Sequence, residues 1–207
     1  MAVTFGQMTA RILQETARDS SMETAVQNAI VTAIKELERE QYWLFEKETN
    51  LLLLDGTDNV DLPDDFAELS TLRILVNGIY KTQMFGFTPV TNHEIFNYVR
   101  QNNPGVPYMW SLFGNKIYVF PLADGDYTLN MHYYYKDVTY PSDYGDTSVW
   151  LGDLTEDLTR YKALTIFYRD SLQAEEKAIF YEQKANSSIG NMRIRNNQRL
   201  QINRLSI

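Results

Sequence analysis

The sequence predicts an α+β fold in which terminal helices pack as a bundle, an antiparallel β module is inserted between them, and an extended C-terminal arm follows. Three observations carry this. Apolar residues recur at helical spacing near both ends, the middle of the chain alternates with period two between turn signals, and the composition changes abruptly after Ser187.

Residues 6–18 read as a first short helix, with Met8, Ile12 and Leu13 at helical spacing. Asp19-Ser20-Ser21 interrupts it, and Ser21 is the expected N-cap of the next helix. From Met22 to about Tyr42, Val26, Ile30, Ala33 and Leu37 form an apolar stripe, while Lys35, Glu36, Glu38, Arg39 and Glu40 fill the other face. Phe45–Leu54 is extended and apolar, Asp55-Gly56 is a turn, and Asn59–Leu62 is a short strand ending at Pro63. Thr71–Val76 and Ile79–Met84 flank Asn77-Gly78, which supplies the two positive φ angles of a type I′ turn, so a hairpin is predicted.

Thr91-Asn92-His93-Glu94 matches a capping box and opens a helix to about Gln101, carrying Ile95, Phe96, Tyr98 and Val99. Asn102–Pro107 is a loop. Strands follow at Tyr108–Phe113, Lys116–Phe120 and Asp126–Lys136, joined across Gly114-Asn115 and Asp124-Gly125. On the last strand Leu129, Met131, Tyr133 and Tyr135 share one face, and Asn130, His132, Tyr134 and Lys136 the other. After a polar loop at 137–148, Asp153–Glu156 reads as a helix start, and Tyr161, Leu164, Tyr168 and Leu172 form a helical stripe. A further helix spans 174 to about 188, with Ile179, Phe180 and Tyr181. The expected organisation is N-terminal helices at 1–42, the β module with one inserted helix at 43–148, C-terminal helices packing on the N-terminal ones at 149–188, and an extended basic arm at 189–207.

Composition narrows the function. The 207 residues hold 44% apolar and 13% aromatic side chains, enough for a core without staples. With 19 basic against 27 acidic residues the net charge is −8, which disfavours a protein that wraps nucleic acid by neutralising phosphates. No cysteine is present, which removes disulfides, thiolate nucleophiles and cysteine-ligated metals. The start shows no signal peptide, and the longest aliphatic run, Leu51–Leu54, is far short of the ~20 residues that span a bilayer, so a cytosolic product with no membrane partner is expected.

Candidate chemistry is sparse. His93 precedes Glu94, but the metalloprotease pattern needs a second His where Asn97 stands, and His132 lies in a Tyr-rich strand that suits a hydrogen-bonded side chain. Asp64-Asp65 follows Pro63 and suits a helix start, while Asp124 and Asp126 bracket a turn glycine; each pair offers carboxylates for glycoside chemistry and is better explained structurally. Asp55–Asp61 lacks the spacing of an EF-hand loop. No catalytic residue, metal or cofactor is expected. Fourteen tyrosines and three tryptophans favour binding surfaces over catalysis.

Several phrases, taken in order, resemble the phage adaptor family, the head-to-tail connectors that dock beneath the portal of tailed bacteriophages. They are Trp43–Leu54 with Val60-Asp-Leu-Pro-Asp-Asp-Phe66, then Gly105-Val-Pro-Tyr108, Gly114-Asn-Lys-Ile-Tyr-Val-Phe-Pro121, Asp124-Gly-Asp-Tyr-Thr-Leu129 through Tyr133-Tyr-Tyr-Lys136, Leu154–Asp170, and Glu175–Lys184. The likeness covers about residues 4–188; Leu154-Thr-Glu-Asp157 stands where the family often has Pro-Asp. The resemblance implies a structural virion protein in the neck, forming a dodecameric ring between the portal protein and a tail or nozzle protein and giving passage to DNA without sequence-specific binding. Another neck or tail component, such as a terminator or tail-tube junction, is the alternative.

The segment from Ser187 carries +4 and no acid, so the preceding 186 residues carry −12. Its apolar residues are spaced irregularly, partly by two, which fits a segment that adds as a strand or hook to another chain; a solvated tail is the simpler reading. The residues of the expected portal or neighbour-subunit contact are Arg193, Ile194, Arg195, Arg199, Leu200, Ile202, Arg204, Leu205 and Ile207.

Overall fold

The computed structural model describes residues 3–41, 45–82, 86–99 and 104–205, without the side chains of residues 41, 98, 99 and 194–205. In chain order the elements are α1 (Phe5–Glu15), α2 (Glu23–Gln41), β1 (Glu46–Leu53), β2 (Asn59–Asp61), β3 (Phe66–Val76), β4 (Ile79–Lys81), β5 (Thr88–Pro89), α3 (Asn92–Val99), β6 (Pro104–Gly105), β7 (Met109–Phe113), β8 (Lys116–Phe120), β9 (Leu122–Ala123), β10 (Tyr127–Tyr135), α4 (Glu156–Ile166) and α5 (Glu175–Leu205). The fold is α+β. Two compact units divide it: Met1–Leu44 with Lys136–Ile207, and Phe45–Tyr135.

In the helical unit, α1 opens with a reciprocal cap, in which Gln7 N donates to Thr4 Oγ1 (3.3 Å) and Thr4 N to Gln7 Oε1 (3.0 Å). Met8 and Ile12 on α1, and Val26, Ile30, Ala33, Ile34 and Leu37 on α2, are buried at the predicted spacing. Asp19, not Ser21, is the cap ahead of α2: it accepts from Ser21 N and starts a short 3₁₀ turn, Ser20–Met22. A carboxylate two residues earlier meets the exposed N–H groups more strongly than a hydroxyl would.

Glu38 departs from the solvated face expected of it and is buried. Its two oxygens accept from Asp137 N and from Tyr140 Oη, both at 2.8 Å, so the carboxylate holds the 137–148 loop against the helices. Burial and the hydrogen bond to Glu38 push the Tyr140 hydroxyl up to about 12. Gly6 N donates to Tyr144 O and Phe5 N to Asp146 O, so the loop also caps the start of α1.

The β unit contains two four-stranded sheets, ordered β1-β10-β3-β4 and β2-β8-β7-β5, and a small β6-β9 pair. The long pairings are antiparallel; β5–β7 and β6–β9 are parallel. Leu53, Ile74, Leu129 and Met131 from the first sheet cluster with Ile117 and Val119 from the second, so their inner faces share a core. The predicted hairpin forms: Asn77 (φ 52°) and Gly78 (φ 78°) turn β3 into β4, with Val76 paired to Ile79. The capping box also forms, with Thr91 N donating to Glu94 Oε2 (2.8 Å) and Glu94 N to Thr91 Oγ1 (3.3 Å).

Of three further expectations, two are corrected. Asp64-Asp65 starts no helix; it lies in a turn closed by Phe66 N to Pro63 O, which leads into a β3 five residues longer at its start than predicted. α4 begins at Glu156, within the expected start, and its N-cap Thr155 makes no side-chain cap but turns back to Val149 O. The segment after Ser187 is not an extended arm: it continues α5 to Leu205. The stretch from Glu175 contains no proline and many residues of good helix propensity, so cooperative extension wins over an apolar spacing that only partly suggested a strand.

A methyl group on Gly6 would sit 2.5 Å from Tyr144 Cδ1 and 3.0 Å from Tyr144 O. Gly6→Ala is expected to destabilise the chain by about 1–3 kcal/mol, read as a lower urea midpoint at unchanged m-value.

Candidate assembly surface

Two surfaces carry specific side-chain chemistry, one in each unit. In the helical unit, α4 ends in a π-helical turn, Phe167–Ser171, and the chain reverses through Gln173 at φ 50° into α5. The wider turn places Tyr168 against the first turns of α5. Its ring stacks on Tyr181 at 5.6 Å with 6° between planes, and Tyr161 flanks the same ring at 6.3 Å. Buried Ala178 and Ala185 flank Tyr181 along the helix, one on either side.

Cations border the stack. Lys177 lies over Tyr168, Lys184 over Tyr161 and Phe180, and Arg160 over Tyr161, at 4.5–5.3 Å from the ring centres. Glu15 joins α1 to the cluster, accepting from Arg160 Nη1 (2.7 Å) and from Tyr181 Oη (3.0 Å). Burial, then the bond to Glu15, push the Tyr181 hydroxyl up to about 12. These contacts fix the course of α5 from its first three turns, and leave Ile179 and Phe180 exposed beside them. At 1.5 Å per residue, its 31 residues span about 46 Å.

In the β unit, the outer face of β1-β10-β3 carries a polar network centred on Asn130, which is 1% exposed. Asn130 Nδ2 donates to Glu48 Oε1 (2.6 Å) and Asn50 Oδ1 (2.8 Å), and its Oδ1 accepts from Arg73 Nε and Nη2. Arg73 Nη2 lies 2.9 Å from His132 Nε2. The hydrogen bond from Asn130 holds the Glu48 carboxyl below the usual carboxylate range. On the inner face, Asp65 accepts from Tyr133 Oη (2.8 Å) and from Lys47, and that partnership raises the Lys47 ammonium.

The expected contact residues follow the helix. Arg193 is exposed on α5; Ile194, Arg195, Arg199, Leu200, Ile202, Arg204 and Leu205 lie on its backbone path, and Ile207 falls outside the described residues. The other candidates serve local structure. His93 Nε2 is 3.3 Å from Asn97 Nδ2. Asp124 accepts from Tyr127 Oη (2.6 Å), pushing that hydroxyl up to about 12, and Asp126 accepts from Asp55 N (2.9 Å). Asp64 is exposed, whereas Asp65 is committed to Lys47 and Tyr133. Among the described residues no three His, Cys, Asp or Glu side chains converge as a metal site, and no helix is long and apolar enough to cross a membrane. Trp43, part of the resemblance, lies outside the described residues.

The order of elements, with helices at both ends and an antiparallel insert between, accompanies a match to a family model described as SU10 adaptor protein over residues 3–205. The chain belongs to the SU10 adaptor protein family. The family name marks a phage adaptor protein, in agreement with the phrases that resembled the phage adaptor family, and the match also includes the basic segment of α5. A search of curated proteins returned no match.

Two outcomes are expected at the network of this adaptor. Asn130→Leu, which removes four hydrogen bonds at a buried position, lowers stability by about 1–3 kcal/mol in urea denaturation. Because the folded Glu48 carboxyl titrates below its unfolded value, its contribution is complete above the unfolded carboxylate range and is lost as pH falls through the depressed folded value. The stability difference between the native adaptor and Glu48→Gln therefore shrinks in acid, which urea midpoints measured from neutral pH downward will show.

Proposed function

We propose that this adaptor forms a dodecameric ring in the virion neck, between the portal protein and a tail or nozzle protein, and that DNA passes through the ring without being read. The observation that carries the reading is the family match over nearly the whole chain. Charge supports the passage: residues 1–186 carry −12, and an acidic lumen repels the phosphate backbone and lets it slide where a basic one would grip it. The function is assembly and sealing, with no chemistry.

The segment Arg193–Ile207 is the proposed contact with the portal or with a neighbouring copy. Its four arginines and absence of acids suit a carboxylate-rich surface, and it follows Ala178, Tyr181 and Ala185, the residues that tie α5 to the helical unit. Native mass measured alone and after mixing with portal rings from the same virion tests the reading. Assembly of a stoichiometric adaptor ring on the portal is expected; no association with portal overturns it in favour of another neck or tail component. Deleting residues 190–207 is expected to leave a folded chain, by circular dichroism and urea denaturation, that no longer joins the portal.

A further inference from the structure

Sheet β1-β10-β3-β4 ends on both sides in strands with one partner each among the described residues. Tyr135 N donates to Phe45 O, so by antiparallel alternation the backbone groups of Glu46, Glu48, Asn50 and Leu52 point away from β10, toward the open edge. On the opposite edge, the two-residue turn at Asn77-Gly78 makes Val76 and Ile79 the closing pair, which aims the backbone groups of Tyr80 outward. Exposed apolar side chains mark both edges: Leu52 is 58% exposed, Ile79 68% and Tyr80 42%. Charge is also divided, with Glu46 and Glu48 on the β1 edge and Lys81 on β4, beside Arg73 of β3.

We propose that this sheet continues from copy to copy around the ring, β4 of one subunit pairing with β1 of the next; the inference rests on the ring reading above. The four strands alternate strictly in direction, so β4 and the next β1 meet antiparallel, with the same faces outward. An odd number of strands would have forced a parallel junction. A cyclic operator rotates without translating, so with strands along the ring axis a row crossing the sheet meets the same row of the next copy. The row Leu52–Thr128–Leu75–Tyr80 therefore brings Tyr80 of one subunit against Leu52 of its neighbour. Each of these two residues aims its backbone N–H and C=O at the other, and their exposed side chains share one face.

The absence of cysteine makes the contact directly testable. Within one chain Leu52 and Tyr80 stand three strand spacings apart, about 14 Å, beyond disulfide reach, so a bond between cysteines at these positions joins two copies. The full chain carrying Leu52→Cys and Tyr80→Cys is assembled with portal rings, its assembly is checked by native mass, and it is oxidised and run without reductant. A covalent ladder extending past the dimer, collapsed by reductant and missing from either single variant, is expected. Rings of correct mass with no ladder overturn the edge pairing and leave the ring reading intact; absence of any ring, with or without portal, overturns both.

Discussion

The register of β10 against its two neighbours is the constraint on which the β unit depends, and Asn130 enforces it. A buried amide with four hydrogen bonds fixes β1 through Glu48 and Asn50 and β3 through Arg73 at the same level of the sheet. Slipping either neighbour by one residue would separate these partners and turn its side chains to the opposite face. The same slip would withdraw the partners of Leu129 and Met131, which fill the core from the other side of β10. One polar side chain and the apolar residues around it thus enforce the same alignment.

The sequence revealed those parts of the fold that are written locally. Asn77-Gly78 and Thr91–Glu94 state their turn and cap within four residues, and both formed. The alternation of Leu129, Met131 and Tyr133 shows which face of β10 turns inward. The Asn130 network was not legible, because its members come from three strands far apart in sequence, and neither strand records its register against the other. Glu38 is hidden for a similar reason: on α2 it reads as one more surface acid, and only the return of Asp137 and Tyr140 gives it a buried role. The short β5, β6 and β9 carry too few residues for a period, and exist through pairing alone.

The helical continuation of α5 changes how its basic segment acts. An extended arm spends conformational entropy when it docks, at roughly 1–2 kcal/mol for each residue fixed. Residues 189–205 already follow a helix that the Tyr168–Tyr181 stack and Glu15 anchor near its start, so much of that cost is met by folding. The basic segment then follows a defined backbone path, and the acid-free run beyond Glu182 continues along one helix. Helical order and charge segregation together suit a contact made once, in a fixed direction.

A weak edge junction combined with the proposed α5 contact would account for ordered assembly. A junction through β4, a strand of three residues, adds only the backbone bonds of Tyr80 and the burial of Leu52 and Ile79. At about 1 kcal/mol for each hydrogen bond and ~1.5–3 kcal/mol for each large apolar side chain, this barely matches the ~4–15 kcal/mol that association costs in lost freedom. Free subunits would therefore remain apart at low concentration. If α5 held each copy on a common platform, as proposed, that cost would be met, the next junction would be effectively intramolecular, and the same modest edge would close the ring. An adaptor with stronger edges would polymerise before reaching its platform, so under the proposed edge pairing the brevity of β4 and the charges along β1 would protect assembly as much as permit it.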